Sequence, residues 1–125
     1  MQNKMKEEAE KWMEKSEKDM SDAKFNLDNN RLETSAFLSH QAAEKALKSA
    51  HIRLFNHLIK VHDLADLGRK VGASKAMLKC CDALNPHYIE TRYLVDIGYS
   101  KKMAKDAFRN SEKIVKWAKK KLLKK

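Results

Sequence analysis

Few side chains in this sequence combine chemical capability with useful neighbours, and those that do point to anion binding. Arg92 and Tyr93 are adjacent: a guanidinium offers a two-pronged donor fork to a phosphate, and the phenol ring beside it offers a stacking face. His62-Asp63 sets an imidazole next to a carboxylate, and Lys45 and Lys48 can add positive charge to the same face. These six residues are the candidates for nucleotide or phosphate binding. Each also has a plain structural use. Arg92 can pair with a carboxylate such as Asp63, Tyr93 can fill a core, Asp63 can open a helix, and the two lysines can face water. A second set lies near the C-terminus, where Lys102, Lys105, Arg109, Lys113, Lys116, Lys120 and Lys124 recur every three or four residues. On a helix they share one side and, at about 1.5 Å per residue, extend roughly 33 Å. That row is the candidate polyanion-binding surface, and the alternative is a solvated face.

Other chemistries find no support. Three isolated glycines cannot build a nucleotide-cradling loop. The five histidines form no i,i+4 pair, and no Cys/His cluster has zinc spacing. Cys80 and Cys81 are adjacent, which is neither a disulfide framework nor a metal motif, and they read as ordinary helix residues. No catalytic residue, metal set or cofactor motif is therefore assigned.

The elements that position these residues follow from composition and periodicity. A chain of 125 residues is expected to form a single domain over 1–125 with one core. Three Gly and one Pro are too few for a protein built from many tight turns, and the abundant Lys, Glu, Ala, Leu and Met favour helices. The N-terminus lacks an apolar signal core and no apolar run reaches membrane-spanning length, so a cytoplasmic protein is expected. The net charge of +10 is uneven: residues 1–100 hold 16 basic and 15 acidic residues, residues 101–125 hold 11 and 2. The excess belongs to the last helix.

The organising element is 31–55. Leu32, Ala36, Ser39, Ala43, Ala46, Leu47, Ala50 and Leu54 share a face of mostly small side chains, which lets another helix approach closely. Phe37, His40, Glu44, Lys48, His51 and Phe55 form a second row, with Leu38 and Ala42 on the opposite flank. A helix apolar on several sides is central to a bundle. Asn30 and Glu33 resemble a capping box at its start. Before it, Met5, Ala9, Trp12, Ser16, Met20, Ala23 and Leu27 predict a helix over about 4–27, antiparallel to the next. After it come a short helix from Asp63 to Gly72, another capped by Ser74, an interruption at Asn85-Pro86 and a break at Gly98. Ser100 can cap the last helix, whose inner face is Ala104, Ala107, Phe108, Ser111, Ile114, Val115, Ala118 and Leu122. The long helices show no sustained heptad, so a globular all-α, up-and-down bundle of five or six helices is expected.

The run from Ala36 to Lys48, AFLSHQAAEKALK, resembles the second-helix signature of the HEPN family. His62-Asp63-Leu64 with Leu67, then Arg92-Tyr93 before the last helix, continue the likeness, and Trp12-Met13 and Asp19-Met20 with Ala23 resemble the family's first helix. The resemblance implies a helical bundle, commonly homodimeric, often paired with a minimal nucleotidyltransferase as a toxin–antitoxin-like couple. Some relatives are metal-independent ribonucleases and others are thought to bind nucleotides. The ribonuclease branch carries an Arg, then four to six intervening residues, then a His. Counted from Arg92 those positions hold Ile97, Gly98 and Tyr99, so the motif is absent. The expected function is non-catalytic nucleotide or nucleic-acid binding. The alternatives are a ribonuclease using a displaced site around Arg92 with His62 or His87, and a membrane-surface or scaffold role for the basic helix.

Overall fold

The computed structural model describes residues 3–88 and 99–123, with side chains placed for 4–88 and 99–121. Its regular elements are helices: α1 (Asn3–Asp28), α2 (Leu32–Phe55), α3 (Leu64–Lys70), α4 (Lys75–Leu84) and α5 (Lys101–Leu123). A helical turn at 86–88 follows α4. Arg92, Tyr93, Gly98 and Lys124 lie outside the described residues.

α2 is the centre. Ala36, Ala42, Ala43, Ala46, Leu47, Ala50 and Ile52 are all buried, which covers the helix on every side through most of its length. α1 and α5 flank it, α3 also packs on it, and α4 is held between α3 and α5. The small face expected to reach Leu54 ends sooner. Leu54, Phe55 and the following Leu58 are exposed, because the chain leaves the helix at a left-handed Asn56 with no described element over its last turn.

The α1–α2 contact has a repeat that large apolar residues do not reveal. Ser16 Oγ donates to the Ala42 carbonyl at 2.6 Å, Ser49 Oγ to Ala9 at 2.6 Å, and Ser35 Oγ to Ala23 at 2.8 Å. Ala9, Ser16 and Ala23 are seven residues apart on α1, and they meet Ser49, Ala42 and Ser35, seven apart on α2 in the opposite direction. This is a heptad seam of small residues, a feature that a search for large apolar heptads passes over. A hydroxyl one bond beyond Cβ reaches a facing carbonyl only where two helix backbones lie close. On the other side of α2, Ser111 Oγ of α5 donates to the Ser39 carbonyl at 2.5 Å.

The helix ends are set locally. Asn30 does not cap α2 as expected. It sits at φ 62°, and Arg31 N–H returns to the Asn26 carbonyl at 2.7 Å, so Asn30 closes α1 instead. Arg31, at the α2 N-cap, makes no side-chain cap hydrogen bond. Asp63 accepts from Asp66 N–H, Ser74 from Met77 N–H and Ser100 from Met103 N–H, as N-caps of α3, α4 and α5. Gly72, at φ 77°, ends α3. Gly68 lets α3 approach α4: a Cβ there would lie 3.0 Å from Leu78 Cδ2 and 3.3 Å from Cys81 Sγ.

Candidate functional site

The polar row of α2 lies against α1 and the 56–63 loop. His40 is buried, its Nδ1 3.2 Å from Gln41 Oε1 and its ring tilted against Tyr88 at 5.3 Å. Burial lowers its pKa from the ordinary imidazole value, opposed by the Gln41 hydrogen bond. One turn on, Glu44 Oε2 receives Lys48 Nζ at 2.9 Å and His62 Nδ1 at 2.8 Å. With the Nδ1 proton serving Glu44, the 3.5 Å approach of Lys48 to His62 is two donors gathered round one acceptor. Glu44 Oε1 is buried without a hydrogen-bond partner among the described residues. Lys48 Nζ also lies 5.7 Å from the centre of the Trp12 ring.

The sequence-selected residues divide accordingly. Lys48 and His62 meet at Glu44, whereas Lys45 points to Asp19 of α1, 2.6 Å away. A solvated role for the two lysines is therefore incorrect for Lys48, which is only 5% exposed, and incomplete for Lys45. The close seam carries α1 over both side chains. Asp63 uses one oxygen to cap α3 and the other to accept from Asn85 Nδ2 at 3.2 Å, while Asn85 Oδ1 accepts from Leu64 N–H. His87 is buried with Nδ1 3.2 Å from the Tyr99 hydroxyl. Sequence reasoning placed Glu44 in the second row of α2 and gave it no role in a site. Its place in a row otherwise aromatic or cationic was the available signal for burial.

Cys80 and Cys81 are free and buried on α4, and burial pushes the Cys81 thiol up to about 12, which keeps it protonated and inert. Among the described residues no group of His, Cys, Asp or Glu is arranged to hold a metal ion, and no helix is long and apolar enough to cross a membrane.

The cationic row is laid out along α5. Lys105, Arg109, Lys113, Lys116 and Lys120 are exposed and make no ion pair among the described residues. Lys102 differs, because it binds Asp106 at 2.9 Å and thereby holds that carboxyl below its usual range. Lys119 reaches Glu17 of α1 at 2.6 Å. The opposite face of α5, with Ala104, Ala107, Ser111, Ile114, Val115 and Ala118, is buried in the bundle.

Beside the row runs an open groove of about 600 Å³ between α5 and the end of α4 with the 86–88 turn. Ala83 and Pro86 on one side and Met103 and Ala107 on α5 give it apolar lining, and His87 adjoins the former pair. Asp106, Arg109, Asn110 and Lys113 line it from one stripe of α5, spaced i, i+3, i+4, i+7. Sequence reasoning missed Asp106 and Asn110, since two uncharged or acidic positions inside a basic helix gave no reason to single them out.

Residues 9–122 match the HEPN domain. Two solved structures share the fold over nearly their whole length. The crystal structure of TT1696 from Thermus thermophilus superposes with a TM-score of 0.82 at 24% identity, covering 90% of this chain and 97% of that one. ST0689, described as an archaeal HEPN homologue, gives 0.78 at 23% identity, covering 91% and 97%. No curated protein matches the sequence. A family match over nearly the whole chain, on helices arranged as in these relatives, makes this chain a member of the HEPN family.

Proposed function

We propose that this HEPN protein is a non-catalytic nucleic-acid-binding protein whose contact surface is α5. The observation that carries the reading is the run of five exposed cations, Lys105 to Lys120, without ion-pair partners among the described residues. Charge left uncompensated along about 22 Å of rigid helix meets several phosphates at once, and binding releases their counterions. Such contacts orient a strand without reading its sequence. Burial of the apolar face of α5 supports this reading over a membrane surface, because that face is committed to the core. The absence of His at 97–99 supports binding without cleavage. His62 and His87, the histidines open to a displaced site, are already engaged with Glu44 and Tyr99.

The test is a titration with short RNA and DNA at two salt concentrations. Wild type is expected to bind with an affinity that falls steeply as salt rises. Lys105→Glu/Arg109→Glu/Lys116→Glu is expected to stay helical and lose that binding. Wild type that shows no salt-sensitive affinity leaves α5 a solvated face. In parallel, RNA incubated with the protein without metal is expected to remain intact; cleavage abolished by Arg92→Ala would restore the enzyme reading.

The exposed Leu54, Phe55 and Leu58 support a homodimer formed at the end of α2, read by sedimentation at tens of micromolar. Pairing with a minimal nucleotidyltransferase rests on family membership and is read by co-purification from the native cell.

A further inference from the structure

The groove beside the cationic row has chemistry that phosphate binding does not use. Phosphates require donors and positive charge, yet an acid, Asp106, and an amide, Asn110, line the groove alternately with Arg109 and Lys113. Opposite α5 lie the Ala83 methyl and the Pro86 ring, while Met103 and the nearly buried Ala107 extend the apolar lining on α5 itself. An apolar edge formed by Ala83 and Pro86, facing polar groups of both hydrogen-bonding senses and adjoining cations, fits a planar heterocycle attached to a phosphodiester. We propose that this groove takes one unpaired base of a single strand whose backbone lies along α5, and that Asp106 and Asn110 read its edge. The inference rests on the nucleic-acid reading of α5 and narrows its ligand from any polyanion to a strand with unstacked bases.

The hydrogen-bonding inventory then sets a preference. Asp106 is already committed through Oδ2 to Lys102 and keeps its carboxyl low in pKa, so it remains an acceptor. Oδ1 has no hydrogen-bond partner among the described residues, and the Asn110 side-chain amide likewise has none. Adenine and cytosine carry an exocyclic amine beside a ring acceptor, which suits a carboxylate together with an amide. Uracil carries a carbonyl oxygen in place of that amine, which a carboxylate repels, and keeps a single donor, N3–H, flanked by two such oxygens. Duplexes hide these edges in pairing and cannot deliver a base sideways into a groove. Single strands with splayed bases can.

The experiment measures binding of A12, C12 and U12 in RNA and DNA form, with a 12-base-pair duplex, at two salt concentrations. The proteins are wild type, Asn110→Ala, Asp106→Ala and Ala83→Trp, the last filling the groove from an exposed helix position without removing a cation. Wild type is expected to bind A12 and C12 about tenfold more tightly than U12 or the duplex, the scale of one good base-edge contact. Asn110→Ala and Ala83→Trp are expected to bring A12 and C12 to the U12 level while the salt dependence stays unchanged. Asp106→Ala is expected to lose the discrimination while binding every strand at least as well, because it removes an anion. Salt-sensitive binding that is equal for all strands, or a preference untouched by the variants, overturns the groove and leaves the cationic row standing. No salt-sensitive binding by wild type removes both. Circular dichroism confirms that each variant is folded, and RNA against DNA arms show whether the ribose hydroxyl contributes.

Discussion

Glu44 gives one carboxylate oxygen to two donors and leaves the other buried, so its position is held by charge as much as by packing. Desolvating such a pair is costly, and removing one member costs more than removing both. Glu44→Leu is expected to destabilise the fold by about 3–5 kcal/mol, whereas Glu44→Leu/Lys48→Met is expected to recover a substantial part of the loss, as read by urea unfolding. His40 gives a second test. Its folded-state pKa is depressed by burial, so the unfolded chain takes up the proton first as pH falls. The contribution of neutral His40 is complete above the ordinary imidazole pKa of about 6.5 and is lost progressively as pH falls below it. Wild type is therefore expected to lose more stability than His40→Gln between pH 7.5 and 5.5. Helical spacing put His40, Glu44 and Lys48 in one row without giving its depth, because periodicity fixes direction and only the neighbouring helix fixes burial.

Small residues on α2 announced a close approach in the sequence, and apolar residues on several of its sides marked it as the central helix. What periodicity did not disclose was that the seam is a heptad of alanines and serines, since a heptad is ordinarily recognised by large residues. The same limit applies at Asn30. Its pattern with Glu33 fits a cap, but a turn this short lets one Asn serve only one helix end, and α1 takes it. The seam makes a definite demand on volume. Ser16→Ala removes one inter-helix hydrogen bond and is expected to cost about 1 kcal/mol. Ser16→Leu inserts bulk where two backbones meet and is expected to cost at least 1–3 kcal/mol, with Tm falling further than for Ala. Equal losses from the two variants would mean that the helices can separate freely there.

Across the whole molecule the charge is segregated: α1 to α4 are nearly balanced, and α5 carries the excess on the side away from the core. The bulk arithmetic of the sequence showed this, and the helical spacing grouped Lys102, Lys105, Arg109, Lys113, Lys116 and Lys120, all of which are exposed. The groove was not legible, because its walls come from α4, the 86–88 turn and α5, which only tertiary structure brings together.

The serine seam also carries a consequence for the order of folding. Its hydrogen bonds join residues 12, 26 and 40 positions apart, so the α1–α2 hairpin can zip outward from its turn in small steps. α5 is fastened by Ser111 to Ser39, 72 positions away, and by Lys119 to Glu17, 102 away, which close far larger loops. The hairpin is thus expected to form before the rate-limiting barrier and the cationic helix to dock after it. In stopped-flow chevrons, Ser35→Ala should chiefly slow refolding and Ser111→Ala chiefly accelerate unfolding. The reverse assignment would make α5, rather than the hairpin, the surface on which the chain first condenses.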